Sequence, residues 1–307
     1  MPKRTLVRLC TLVLAMGGFT LSGAETFRVA TYNVENYLDQ PTESRPHVKS
    51  PEAKTNVCNN ILALNADVLA LEEMGGTSAL SELCDSLKTG GLVYTNWEFV
   101  SGMDTNIHIA VLSRLPITAR QPHTNDVYLL DGHRFRVSRG FAEVEIRVTT
   151  NFTFTLIAAH LKSRRPVPEA DEAGQRLQEA RILRGIIDAH LTNNPEAKLI
   201  VLGDFNDVKD SDALKAVIGR GRFKLTDTRP AERNGDNSPS QDTRFEPRNV
   251  AWTEYYSKED IYSRVDYILL SPAMARDWVT NETYALTTPN WGLASDHRPI
   301  VAAFEKK

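Results

Sequence analysis

The stretch Leu199-Ile200-Val201-Leu202-Gly203-Asp204-Phe205-Asn206-Asp207 decides how the whole chain is read. Four consecutive aliphatic residues are too few for a helix and are apolar on both sides, the pattern of a strand buried on both faces. The run breaks on a glycine and then on an acid, an aromatic ring, an amide and a second acid. Such a strand belongs to an α/β sheet, where ligand sites gather at the strand ends.

The same punctuation recurs on either side. Phe27–Val34 is β-branched and aromatic and carries Asn33 near its end. Asp67–Leu71 is apolar and runs into Glu72-Glu73, and Phe154–Leu161 carries His160. Val265–Leu270 contains Asp266, and Ser295-Asp296-His297 leads into the strand Pro299–Phe304. Further strands are expected at Trp97–Val100, Ile107–Ser113 and Phe141–Val148. Helical spacing appears at Val57, Ile61, Leu62 and Leu64, over Ser78–Leu87, and over a long segment from Glu169 to Leu191. Strands apolar on both faces need cover on both sides. The expected fold is therefore an α/β four-layer sandwich, two packed mixed β-sheets flanked by helices. Periodicity by itself leaves a three-layer α/β fold open. A polar residue at one strand end is most often a turn cap, but six such ends in one chain are not explained that way.

The 307 residues, 41% hydrophobic and 24% charged, are an ordinary globular composition. No Pro/Ser/Gly linker divides them, so one domain is expected. Lys3, Arg4 and Arg8 precede an uncharged apolar run, Leu9–Leu21, and Ser22-Gly23-Ala24 offers a small-residue cleavage site. Residues 1–24 read as a signal peptide and residues 25–307 as the folded domain of a secreted or periplasmic protein. An uncleaved anchor is the alternative; Cys10 lies at the start of the apolar run and not after it, which argues against a lipoprotein. Residues 1–24 hold three basic and no acidic residues, so the remainder carries −6 rather than −3. That charge gains nothing from non-specific attraction to nucleic acid. Cys58 and Cys84 either pair or remain two buried thiols. The nearly apolar-free stretch within 231–250 reads as a surface loop. No P-loop, GxSxG elbow or HExxH segment is present.

In chain order the sequence presents Thr31-Tyr32-Asn33, Leu71-Glu72-Glu73, Ala159-His160-Leu161, Gly203-Asp204-Phe205-Asn206, Val265-Asp266-Tyr267 and Ser295-Asp296-His297. Each piece is weak alone; the ordered set, from about Phe27 to the C-terminus, resembles the endonuclease/exonuclease/phosphatase family. The resemblance implies the DNase I-like four-layer sandwich and metal-dependent hydrolysis of phosphate esters. It implies His160, Asp204, Asn206, Asp266 and His297 as catalytic residues, and Asn33, Glu73 and Asp296 as metal-binding residues, with Asn33 also close to phosphate. Hard oxygen donors of this kind suit Mg²⁺, with Mn²⁺ or Ca²⁺ as alternatives. A carboxylate such as Asp266 on one imidazole nitrogen fixes the tautomer of His297 and favours the charged ring.

Glu72 stands where many members carry Gln. It either adds a negative charge near the metal or, as the strand neighbour of Glu73, points away. Lys162, Arg164 and Arg165 follow His160; Lys162 and Arg164 are read as substrate-binding, against a solvated loop. Arg139 and His108 read as structural before functional, and Trp252 and Trp291 either rim the site or pack. The expected partner is a phosphate-ester substrate, with nucleic acid first. An exported phosphatase or lipid phosphodiesterase stands second, and a non-catalytic binding module on the same fold third. No long apolar hairpin suits membrane insertion, and the mature chain is expected to be a monomer without stable membrane insertion. If residues 1–24 are a signal peptide, the protein exported from a secreting host begins at Glu25, and intact-mass spectrometry of the exported chain checks this.

Overall fold

Side chains along the first strand alternate between two layers. The computed structural model describes residues 26–233 and 250–306, so the expected signal peptide, with Cys10, and most of the 231–250 stretch lie outside the described residues. In β1 (Thr26–Tyr37), Phe27 and Val29 pack into one apolar cluster while Ala30, Tyr32 and Val34 pack into another. The chain continues through α1 (Pro51–Leu64), β2 (Val68–Met74), α2 (Thr77–Thr89), β3 (Asn96–Val100), β4 (His108–Ser113) and β5 (Ile117–Arg120). A hairpin of β6 (Val127–Leu130) and β7 (His133–Arg136) precedes β8 (Phe141–Thr149), β9 (Phe152–His160), α3 (Glu172–Asn193), β10 (Leu199–Asp204) and α4 (Asp212–Ile218). Then come β11 (Thr226–Asp227), β12 (Glu254–Tyr256), β13 (Ile261–Ser263), β14 (Asp266–Leu270), β15 (Trp278–Ala285), α5 (Trp291–Ala294) and β16 (Ile300–Glu305).

One sheet has the order β15-β16-β1-β2-β4-β3 and the other β11-β14-β10-β9-β8-β5. Their inner faces share one core, in which Val29, Val68 and Val111 meet Phe154, Leu156 and Leu202. The outer face of the first sheet buries α1 and α2 through Ile61, Leu64, Leu80 and Leu83. The outer face of the second buries α3 and α4 through Leu183, Ile187, Leu214 and Val217. The four-layer sandwich read from the sequence is the observed architecture.

Both sheets are built alike at the centre. β1 runs parallel to β2, and β9 runs parallel to β10. β16 is antiparallel to β1, and β14 is antiparallel to β10. The ends of the parallel strands therefore share an edge with the beginnings of their antiparallel neighbours. This brings Asn33, Glu73, His160 and Asp204 to the same edge as Asp266 and His297. Asp204 sits in register with His160 on one side and Asp266 on the other. Gly203 makes that pairing close: its φ is +130°, and a Cβ there would lie 2.0 Å from the Ala159 carbonyl oxygen.

Several elements carry too little apolar alternation to be read beforehand. The β6–β7 hairpin holds His133-Arg134-Phe135-Arg136 and turns on Asp131 and Gly132, both at positive φ. β12, β13, α4 and α5 are short, and β15 is a largely polar edge strand. α3 begins at Glu172 and not at Glu169, because Asp171 caps it by accepting a hydrogen bond from Gly174 N at 2.7 Å. Cys58 and Cys84 are both free thiols, which selects the unpaired alternative.

On the outer face of β8, the buried Glu143 carboxylate accepts hydrogen bonds from His123 Nε2 and His190 Nε2, both at 2.9 Å. Burial pushes Glu143 up, but the two imidazoles outweigh it and hold the group at about 2. The hydrogen bond to Glu143 raises His190 above 6.5, against burial. A raised histidine contributes its full stability below its unfolded pKa and loses it as pH climbs through the folded value. Glu143 stays ionised across that window. Thermal stability is therefore expected to fall from pH 6 to pH 8.5, and His190→Gln to flatten the fall. The difference is at most about 1 kcal/mol for a half-buried pair, read by differential scanning fluorimetry.

Candidate active site

Asp204 is the hub. Its Oδ2 accepts from Asn33 Nδ2 at 3.0 Å and from Asn206 Nδ2 at 3.2 Å, while Oδ1 accepts from Asn206 N at 2.8 Å. Asn206 reaches it from a left-handed backbone, φ +54°, and also donates to Leu161 O. His160 Nε2 lies 3.5 Å and His297 Nε2 3.8 Å from the same Oδ2. Burial pushes Asp204 up to about 7, against the lowering pull of His297.

The two histidines are driven apart. Burial, reinforced by Arg139, His297 and Arg45, holds His160 well below the ordinary imidazole range, so it is neutral. Burial would lower His297 as well, but Asp266 and Asp204 outweigh it and keep the ring charged. Asp266 Oδ2 accepts from His297 Nδ1 at 2.8 Å. Asp266 is fixed in turn by Thr253 Oγ1, which accepts from the backbone N–H groups of Val265 and Asp266 at 3.1 Å. Ser295 Oγ donates to Asn33 O and accepts from His297 N, tying the histidine loop to β1. Ligand atoms of Asp204, Asp266 and His297 all lie within 4.8 Å of one another. A neutral imidazole, an imidazolium and a readily protonated carboxylate around one small space suit binding an anionic group and moving a proton.

The expected metal residues lie beside this hub. Glu73 stands at φ +62°, where the β2 pairing shifts register between Leu71 and Met74. Its carboxylate turns toward β1, where Asn36 N donates to Oε2 at 2.9 Å and Asn33 Nδ2 lies 3.5 Å from Oε1. Asp296 is raised by burial and by the charges of Glu73 and Glu254, and Glu35 by burial and by Asp296. Lys49 Nζ lies 3.5 Å from Glu35, and the carboxylates of Glu73, Asp296 and Glu35 are hard oxygen donors of the kind a divalent cation takes. Asn33 and Glu73 touch, and Asp296 Oδ1 lies 4.0 Å from His297 Nε2.

Glu72 differs from the expectation of an added negative charge. Strand alternation points it between the sheets, where its Oε1 accepts from Thr31 Oγ1 at 2.7 Å. Burial raises its pKa far above the usual carboxylate range, so it is neutral.

Lys162 and Arg164, read as substrate-binding, both have partners within the chain. Lys162 Nζ donates to Arg165 O at 3.2 Å within its own loop. Arg164 pairs with Glu254, whose backbone bridges to His297, so the pair ties the loop after His160 to the strand beside His297. Arg139 donates to Leu161 O and His108 packs on Phe99, which favours the structural reading of both. Trp252 packs between the Arg298 guanidinium and Trp291. Glu254, Glu35 and Arg45 went unread. Glu35 and the Arg45 partner Asn36 follow Asn33 closely, but nothing in their spacing announces the positive φ values that turn them inward.

The profile described as the Endonuclease/Exonuclease/phosphatase family matches residues 30–297. No curated relative matches the sequence. Among solved structures, the chain is similar to the human Nocturnin catalytic domain with bound sulfate (16% identity, TM-score 0.61), covering 92% of this chain and 95% of that one. It is similar to Staphylococcus aureus beta toxin with bound magnesium ions (16%, TM-score 0.58), covering 92% and 100%. It is also similar to sphingomyelinase C from Streptomyces griseocarneus (20%, TM-score 0.55), covering 91% and 99%. At these identities the likeness shows the fold.

Alanine at His160, Asp204, His297 or Glu73 is expected to lower kcat by about 100-fold or more while circular dichroism stays native. Near-native turnover in two of the four overturns the assignment.

Proposed function

This chain belongs to the endonuclease/exonuclease/phosphatase family, and from that premise we propose that it is an exported, Mg²⁺-dependent phosphodiesterase acting first on nucleic acid. The observation that carries the reading is Asp204 held between neutral His160 and charged His297. With the phosphoryl group seated against these three side chains, the His297 N–H holds a non-bridging oxygen and its charge is matched to the anion. The Asp204 carboxylate accepts the proton of the attacking water as the new P–O bond forms, and its folded pKa of about 7 suits that task. Neutral His160, with Nε2 directed at Asp204, orients the carboxylate. The leaving oxygen departs as the old P–O bond breaks and takes its proton from solvent. A Mg²⁺ held by Glu73, Asn33 and Asp296 would neutralise charge on the phosphoryl oxygens.

The site is complete within one chain, which supports action as a monomer. Export rests on the N-terminal sequence. Among the described residues no helix is long and apolar enough to cross a membrane. A second reading, an exported lipid phosphodiesterase, is favoured by the fold shared with sphingomyelinase C.

The test is turnover of plasmid DNA, RNA, bis-p-nitrophenyl phosphate and sphingomyelin vesicles, with Mg²⁺ or Mn²⁺ and with EDTA. Metal-dependent cleavage of nucleic acid, abolished by EDTA, is expected. Turnover of sphingomyelin alone moves the assignment to the second reading, and no turnover of any substrate favours a binding module.

A further inference from the structure

The β6–β7 hairpin is absorbed by nothing above. Its register pairs Val127 with Arg136 and Leu129 with Arg134, so these four side chains share one face. All four are exposed, Leu129 to 71%. With Met103 and the half-buried Phe135, Val127, Arg134 and Arg136 line a surface pocket of about 530 Å³. Among the described residues, neither guanidinium takes part in an ion pair or hydrogen bond. The arginines nearer the catalytic edge are committed: Arg45 to Asp104, Arg139 to Leu161 O, Arg164 to Glu254 and Arg176 to Asp207.

The pocket adjoins the His160 end of the site. β7 leads through Val137 and Ser138 into Arg139, which is bonded beside His160. Asp104, next to Met103, donates its N–H to Ser138 O. Only Val137 and Ser138 lie between Arg136 and Arg139, a span of at most about 10 Å. A polymer cut at Asp204 therefore continues into this pocket without a long detour.

We propose that the pocket is a subsite for a nucleotide flanking the scissile phosphate of a single-stranded nucleic acid. Arg134 and Arg136 take backbone phosphate, and an unpaired base lies against Met103 and Val127, the combination of cationic track and apolar platform that binds single strands. An acidic protein that binds a polyanion needs such local, uncommitted cations. A membrane surface fits less well. Met103 and Val127 line a concavity together with the arginines, and the turn itself is the polar Asp131-Gly132, with Leu129 and Leu130 beside it.

The inference rests on the nucleic-acid reading, and the experiment separates the two. Arg134→Ala, Arg136→Ala and the double variant are compared with the unaltered protein on single-stranded and duplex oligonucleotides, on bis-p-nitrophenyl phosphate and on sphingomyelin vesicles. Binding to labelled oligonucleotide is measured by anisotropy in the Glu73→Gln background, which keeps the strand uncut. Expected are a rise of about tenfold in single-strand KM and Kd for each arginine, a salt slope reduced by about 1 per arginine, and unchanged turnover of the small diester. If the unaltered protein cleaves oligonucleotides and the variants match it, the subsite falls and the nuclease reading stands. If vesicles alone are hydrolysed, and the variants lose that activity, both fall and the hairpin is a lipid contact.

Discussion

A carboxylate buried as deeply as Asp204 persists beside catalysis only while donors encircle it, because desolvation otherwise drives it to the neutral form. Asn33, Asn206 and the two imidazoles provide that ring, and they come from β1, the turn after β10, the end of β9 and the loop before β16. No local segment supplies more than one of them. The two sheets must pack in one register for the ring to close, so the apolar core between them and the polar edge above it depend on each other. A slip of one residue in β9 or β10 would turn His160 or Asp204 away from its partners.

The same constraint separates the charge states of the two histidines. Both are buried, yet His297 has Asp266 at hydrogen-bonding distance on its far nitrogen while His160 has no partner there among the described residues. One carboxylate thus turns similar rings into a cation and a neutral donor. Glu72 illustrates the reverse case. Its side-chain hydrogen bond from Thr31 does not offset burial, which pushes the carboxyl well above the usual carboxylate range.

The fold was legible because its central strands are apolar runs with polar ends, a signal independent of their partners. The site was legible where motif residues sit at those ends: Asn33, His160, Asp204, Asn206, Asp266 and His297 converge as their positions suggested, and Glu73 joins them through an irregularity that alternation does not forecast. What stayed hidden depends on pairing. Arg164 reads as a free cation beside His160, but its partner Glu254 lies ninety residues on, in a three-residue strand. The β6–β7 hairpin was unread because arginine and aliphatic residues share its outer face, which erases the polar–apolar contrast that marks a strand.

Gly203 has a consequence of a different kind. Because a methyl group has no room against the Ala159 carbonyl, the spacing between the strands that carry His160 and Asp204 is set by a missing side chain. Replacement by even the smallest chiral residue would wedge the central parallel pair apart at its functional edge while leaving the apolar stretches below intact. The position therefore separates folding competence from alignment: a protein altered there would keep its shape and lose its aim.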